Sequence, residues 1–377
     1  MKIAVIDCSI SGHRETYYKE FTRTWAELGQ EVLLVAPQES GTGSIADFKK
    51  IATRPLLPLP AGQPLKKKAI VLQNALIRLR NLASIRKQLA EFQPDLVYFP
   101  CLDDLLPTLA PMSLFNRLLP YAWSGLLVQS ALPPYKPGMP DVRPFLRSRH
   151  CRGIGVLNEY SIAALETFQP DIHQLPDFAD LSEPNDHYSL LHTLHQQANG
   201  RKIISLLGSI GTRKGVDLLL STIPSLPEEE FFFLIAGKSW LTDTQTQKLK
   251  AFEHTRTNCL FSLEHIPDEP SFNALVAASD VLFAAYRNFT GSSNLLTKAA
   301  AYGKPILVSQ GACMGRRISE YGIGIAIPEE NIEACREAIV RLCREGAPKP
   351  ENFTIYASEH SRTKLADTLR QLITNHS

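Results

Sequence analysis

Apolar residues fall along this chain in short continuous runs separated by amphipathic stretches. That alternation builds parallel sheets covered by helices. Lys2-Ile-Ala-Val-Ile-Asp7 is a β-branched run expected for a strand buried on both faces. A small-residue turn, Ser9 to His13, leads into a helix predicted over Glu15 to Leu28. Tyr18, Phe21, Trp25 and Leu28 recur there at helical spacing, and Gly29 is placed to end it. Glu31 to Ala36 is a second buried strand, so the first 36 residues read as the βαβ unit of a doubly wound sheet.

The rhythm continues with a helix from about Val71 to Phe92, a strand over Asp95–Phe99, candidate strands at Gly125–Gln129 and Gly153–Leu157, and a short helix at Ser161–Phe168. Asp177 to Gly200 is rich in His, Asn and Gln and loses the pattern, as a connection between domains would. A second series then begins: strands at Ile203–Leu207, Phe231–Ala236, Asp280–Ala285 and Pro305–Ser309, helices at Val216–Ile223, Pro270–Ser279, Leu295–Tyr302 and Asn331–Cys343. A last polar amphipathic helix spans Ser358 to Ile373. The expected architecture is α/β, with Rossmann-like domains over residues 1–180 and 201–355, a linker over 181–200 and a terminal helical segment over 356–377. Ligands in such sheets bind at the carboxyl ends of the strands.

The chain has 377 residues, 44% hydrophobic and 21% charged, which excludes wholesale disorder. Its net charge of +2, from 40 basic and 38 acidic residues, gives no mark of a nucleic-acid binder. Seven scattered cysteines, never as Cys-x-x-Cys, exclude a zinc ribbon and argue against a disulfide framework. The first apolar run is broken by Asp7, too early for a signal peptide, and no run of about 18 apolar residues could span a membrane. A cytoplasmic protein is expected. Residues 66–89 hold seven basic side chains and no acidic one, with Leu72, Leu76, Leu79 and Ala83 on one face. Such a helix can lie peripherally on an anionic membrane or pack on a core with a solvated basic edge; the second reading is favoured.

Two loops of the second series carry candidate chemistry. Gly208-Ser-Ile-Gly-Thr-Arg-Lys-Gly215 offers backbone N–H groups, Ser209, Gly211, Arg213 and Lys214 just before a helix, which suits a diphosphate, although it is neither a Walker loop nor the three-glycine dinucleotide fingerprint. A turn with merely solvated cations has equal standing. Tyr286-Arg-Asn-Phe-Thr-Gly-Ser-Ser-Asn294 places Arg287, Thr290, Gly291, Ser292, Ser293 and Asn294 in a second such loop, where Ser293 or Asn294 could alternatively cap a helix. In the first domain, Gly12 permits close backbone approach and His13 can accept or donate a proton. Asp103 and Asp104 could position a hydroxyl, or simply start a helix, the favoured reading.

These residues resemble the retaining GT-B glycosyltransferases, especially glycosyltransferase family 4. The likeness runs from Ile203 to about Leu342. It rests on Gly208 with Lys214-Gly-Val-Asp-Leu-Leu219, on Phe233-Leu-Ile-Ala-Gly237, on Ala278-Ser-Asp-Val-Leu282, on Lys298-Ala-Ala-Ala-Tyr-Gly-Lys-Pro305 and on Tyr321-Gly-Ile-Gly324. The resemblance implies two Rossmann-like domains facing each other across a cleft, a final helix packed back on the first domain, and transfer of a sugar from a nucleoside-diphosphate sugar with retention and without a metal or other cofactor. The acceptor would be a hydroxyl of a glycan, glycolipid or small molecule. Lys214, with Arg213, Arg287 and the Gly291–Asn294 backbone, would hold the donor diphosphate, and His13 would stand for a histidine common over the donor in the family. Two family glutamates eight positions apart are replaced by Thr290 and Lys298, and the family arginine after glycine by Ser209. Lys298 cannot accept from ribose hydroxyls and is expected on a phosphate instead. A catalytically degenerate binding protein is the main rival. A sugar-nucleotide epimerase ranks behind it for want of an acid/base pair, and a nicotinamide dehydrogenase is disfavoured by the Ile6–Gly12 turn.

Overall fold

The computed structural model describes residues 1–7, 13–37, 48–57, 64–104, 112–129, 143–169, 171–345 and 348–374. The chain divides into two compact units, Met1–Pro176 with Arg362–Ser377, and Asp177–Ser361.

The first unit holds strands β1 (Lys2–Ile6), β2 (Glu31–Pro37), β3 (Lys50–Thr53), β4 (Leu96–Phe99), β5 (Trp123–Leu127), β6 (Cys151–Val156) and β7 (Ile172–Gln174). They form one parallel sheet in the order β3-β2-β1-β4-β5-β6-β7. Its helices are α1 (His13–Glu27), α2 (Pro64–Phe92), α3 (Met112–Leu118), α4 (Arg143–Leu146) and α5 (Ile162–Leu165). Ile3, Ala4, Val5, Leu34 and Val35 are wholly inaccessible, which is why β1 and β2 read as unbroken apolar runs.

The second unit holds β8 (Lys202–Leu207), β9 (Phe231–Ala236), β10 (Cys259–Ser262), β11 (Val281–Ala284), β12 (Ile306–Ser309) and β13 (Gly324–Ile327). Its parallel sheet has the order β10-β9-β8-β11-β12-β13. Helices α6 (Ser189–Ala198), α7 (Val216–Thr222), α8 (Asp243–His254), α9 (Glu269–Ala278), α10 (Leu295–Ala301), α11 (Cys313–Tyr321), α12 (Ile332–Arg344) and α13 (Pro350–Glu359) belong to it. The last helix, α14 (Arg362–Thr374), returns to the first unit and packs on α1, where Arg362 pairs with Glu20 at 2.5 Å.

Three expectations change. The segment taken as linker contains α6, whose Leu191, Leu194 and Ala198 form a narrow apolar stripe buried among its His and Gln residues. The terminal helical segment breaks at His360–Ser361: α13 packs on α10 and α11 of the second unit, and only α14 joins the first. On α2 the buried stripe is Ala75, Leu82, Ile85 and Leu89, with Asn74 and Asn81, while Leu72 and Leu76 remain 49% and 48% exposed. The two asparagines set that choice by accepting from and donating to the backbone of Leu57 and Arg54 at 2.8–3.1 Å. A polar side chain with both bonds satisfied can be buried at little cost. Among the described residues no helix is long and apolar enough to cross a membrane.

Candidate functional site

In the second sheet the chain starts in the middle, at β8, runs outward through β9 and β10, then returns to β11 on the other side of β8. The strand order therefore reverses between β8 and β11, and the crevice outside their carboxyl ends is the expected ligand position. The loops that leave these two strands are Gly208–Gly215 and Tyr286–Asn294.

Close packing fits the loops together. Gly215 has φ +75°, and a Cβ there would lie 2.3 Å from the Ala285 carbonyl oxygen. Gly237, just after β9, has φ +138° and would place a Cβ 1.8 Å from the Gly208 oxygen. Neither position admits a side chain. Arg287 N donates to Arg213 O at 2.8 Å. Lys214 Nζ donates to the Tyr286 hydroxyl at 2.6 Å and sits 4.1 Å from that ring's centroid. Arg213 Cζ lies 4.7 Å from the Phe289 ring and 5.6 Å from that of Tyr286. The two rings meet edge to face, 5.5 Å apart.

Lys214 and Arg213 thus rest on aromatic faces, and among the described residues neither has a carboxylate partner. The backbone N–H groups of Ser209, Gly211, Thr212, Gly291, Ser293 and Asn294 make no hydrogen bond among the described residues. Asn294 stands at the N-cap of α10 without a side-chain capping bond, so the simple capping reading is not what the asparagine does. Donors and cations without internal acceptors at a switch point are what an anionic ligand would need.

Several sequence candidates lie elsewhere. Lys298 is 2% exposed, and its ammonium is held by Glu269 at 2.8 Å, the Asp180 carbonyl at 2.6 Å and the Asn273 side-chain oxygen. Three acceptors for three protons make it an internal tie between α10, α9 and the entry to the second unit, not a phosphate ligand. The Arg287 guanidinium turns to Glu330, with Asp217 at 3.9 Å, so it clips the loop to the turn after β13 instead of facing Lys214. The Ser292 hydroxyl donates to Asp177 and accepts from Arg317 Nη1 at 2.6 Å. Thr290 is exposed within the same loop.

In the first sheet the order reverses between β1 and β4. His13 opens α1 after β1, but its side chain and all of Gly12 lie outside the described residues. Asp103, after β4, accepts from Val128 N at 2.7 Å and Gln129 N at 3.0 Å, fastening the end of β5. The Asp104 side chain is outside the described residues. Among the described residues no group of three His, Cys, Asp or Glu side chains converges to hold a metal ion.

A buried network unforeseen from the sequence supports the second loop. Asp177, Arg317, Tyr356 and His360 are all at most 1% exposed. Arg317 Nη1 reaches Ser292 and, at 3.3 Å, the Tyr356 hydroxyl. Asp177 N donates to His360 Nδ1 at 3.0 Å, and the His360 ring stacks on Tyr356. Burial, helped by the Arg317 charge, pushes the His360 pKa down to about 2, which keeps it neutral and able to accept. No local signal marks these residues, which lie in three separate segments.

Residues 201–345 match the family model described as Glycosyl transferases group 1. No curated protein matches the chain in sequence. Sucrose-phosphate synthase from Thermosynechococcus elongatus superposes with a TM-score of 0.70 at 13% identity, over 100% of this chain and 98% of that one. HepE from Anabaena, in complex with UDP-glucose, gives 0.71 at 13% over all of both chains. Trehalose 6-phosphate synthase from Burkholderia multivorans gives 0.70 at 11%, over 100% and 99%. The fold is GT-B, two parallel Rossmann-like α/β units in one chain.

Proposed function

We propose that the chain is a glycosyltransferase that moves a sugar from a nucleoside-diphosphate sugar to a hydroxyl acceptor, using the β8–β11 switch point as its donor site. The observation that carries this reading is the pair Lys214 and Arg213, unpaired with any carboxylate among the described residues, beside unbonded backbone N–H groups of both loops. The family match over 201–345 and the UDP-glucose complex of HepE support it.

In the transfer, the bond between the sugar C1 and the β-phosphate oxygen breaks, and its electron pair leaves on the diphosphate. The acceptor hydroxyl oxygen forms the new bond to C1, and its proton passes to the departing phosphate oxygen. Negative charge on that oxygen grows toward the transition state. Fixed cations and N–H donors lower the barrier to the extent that they bind the departing diphosphate better than the intact donor. Lys214, with two ammonium protons beyond the one given to Tyr286, suits this role, and Arg213 adds the second charge. Retention at C1 follows the sequence resemblance, and the anomeric configuration of the product tests it. Exposed Leu72 and Leu76 on the basic helix α2 support contact with an anionic membrane surface, which fits a lipid-borne acceptor.

Incubation with a panel of nucleoside-diphosphate sugars should release a nucleoside diphosphate, slowly to water and faster with an acceptor. A protein that binds the diphosphates but turns over none of the sugars supports the rival, a degenerate binding module. Lys298, built into the core where the family resemblance expects a carboxylate, is the observation that favours that rival.

A further inference from the structure

Trp240 is the most exposed large apolar side chain among the described residues, 67% accessible, whereas Trp25 and Trp123 lie in the core of the first unit at 0% and 1%. Single exposed apolar side chains are common on protein surfaces. The position of this one is what distinguishes it.

The loop after β9 is pinned edge to edge against the candidate anion loop. Trp240 N donates to Ile210 O at 2.7 Å, Ile210 N to Lys238 O at 2.9 Å, and Ser239 N to Leu263 O at 3.2 Å. A Cβ on Gly211 would come within 3.9 Å of the Trp240 Cβ, and one on Gly208 within 4.0 Å of Lys214 Nζ. The indole and the Lys214 ammonium therefore stand against the same short loop. Lys238 Nζ lies over one face of the indole, 4.8 Å from the ring centroid, and the side chain is otherwise largely exposed.

A nucleoside diphosphate has an anionic end and a flat aromatic end joined by a ribose. It needs charge at one place and an apolar π face a short distance away. The fastened backbone of residues 237–241 holds such a face still, so that little ordering is lost on binding. We infer that Trp240 is the stacking platform for the nucleobase of the donor, and that the diphosphate and base are bound by two adjacent strand-end loops. This rests on the donor-site reading above.

The three tryptophans make the test direct, because only Trp240 is exposed. Nucleoside diphosphates with uridine, guanosine, adenosine or thymidine are titrated against the full chain, with inorganic pyrophosphate as the probe that lacks a base. Binding is followed by calorimetry and by tryptophan emission. At least one nucleoside diphosphate should quench the emission, while pyrophosphate binds without quenching. Trp240→Ala should weaken that nucleoside diphosphate about tenfold or more, within the range of base–aromatic stacking, and leave pyrophosphate affinity unchanged. Trp240→Phe should restore most of the loss. Unaltered nucleoside-diphosphate affinity in Trp240→Ala overturns the stacking role while leaving the anion site standing. Failure of both nucleoside diphosphates and pyrophosphate to bind the unaltered chain overturns the donor-site reading, and this inference with it.

Discussion

Replacing Lys214 by Met tests the donor site at its centre. Methionine keeps an unbranched apolar stem over Tyr286 and removes the charge, so the change separates electrostatics from packing. The ammonium lies 4.1 Å from the Tyr286 centroid and has no carboxylate partner among the described residues. A partly exposed cation about 4 Å from a phosphate charge gains about 4 kcal/mol at an effective dielectric constant of about 20, before the desolvation of both groups is subtracted. Hydrogen bonds to charged groups net about 1.5–3 kcal/mol. Diphosphate binding should therefore weaken about 10- to 150-fold, a factor of ten for each ~1.4 kcal/mol. The lost hydrogen bond and cation–π contact should cost the fold only about 1 kcal/mol each. Calorimetric titration with pyrophosphate and with nucleoside diphosphates, at several salt concentrations, reads the first effect, and the unfolding midpoint reads the second. Lys214→Arg should retain most of the affinity. If Lys214→Met binds pyrophosphate as the unaltered chain does, with the same salt dependence, the ammonium does not meet the phosphate and Lys214 is no part of a donor site.

Three further outcomes follow from the geometry. The His360 pKa is lowered in the folded chain to about 2, against about 6.5 when unfolded. Between those values the unfolded chain binds more protons, so stability is retained above about pH 6.5 and falls by up to about 1.4 kcal/mol per pH unit below it. Urea midpoints from pH 7 to 5 should fall less steeply in His360→Asn, whose amide oxygen can still accept from Asp177; parallel curves would refute this. Lys298→Met leaves Glu269 and two further oxygens without their shared cation and should cost about 3–5 kcal/mol of stability, read from the denaturant midpoint. An unchanged midpoint with impaired diphosphate binding would instead restore the phosphate role. Leu72→Asp combined with Leu76→Asp should abolish co-sedimentation with phosphatidylglycerol vesicles and leave donor turnover in solution unchanged; undiminished sedimentation removes α2 from any membrane contact.

Much of the architecture was legible because each central strand is buried on both faces and so carries a continuous apolar run. The ends of the sheets were not: β3, β7, β10 and β13 are edge strands that leave most of their residues only partly buried, whereas the equally short β4, β11 and β12 lie inside the sheets and are almost wholly buried. The helix α6 was hidden for a related reason, since three apolar positions suffice to bury one side of it and the rest of its surface stays polar. In the candidate site, Arg213, Lys214 and the small residues of both loops were readable from type and place alone. Tyr286 and Phe289 were visible as letters but not as the surface on which the two cations lie.

What the sequence settles by itself is local: where strands give way to small-residue loops, and which loops carry donors and positive charge. Which loops meet is decided by strand order, because the return from β10 to β11 sets the Gly208–Gly215 and Tyr286–Asn294 loops side by side across residues far apart in the chain. The fate of each charge is decided the same way. Lys298 and Arg287 look like Lys214 and Arg213 in sequence, but Glu269 and Glu330 arrive beside the first two from separate segments and neutralise them, and the Asp180 carbonyl accepts a further proton of Lys298. A cation is available to a ligand only where folding brings no acceptor to it, and that is a property of the whole chain.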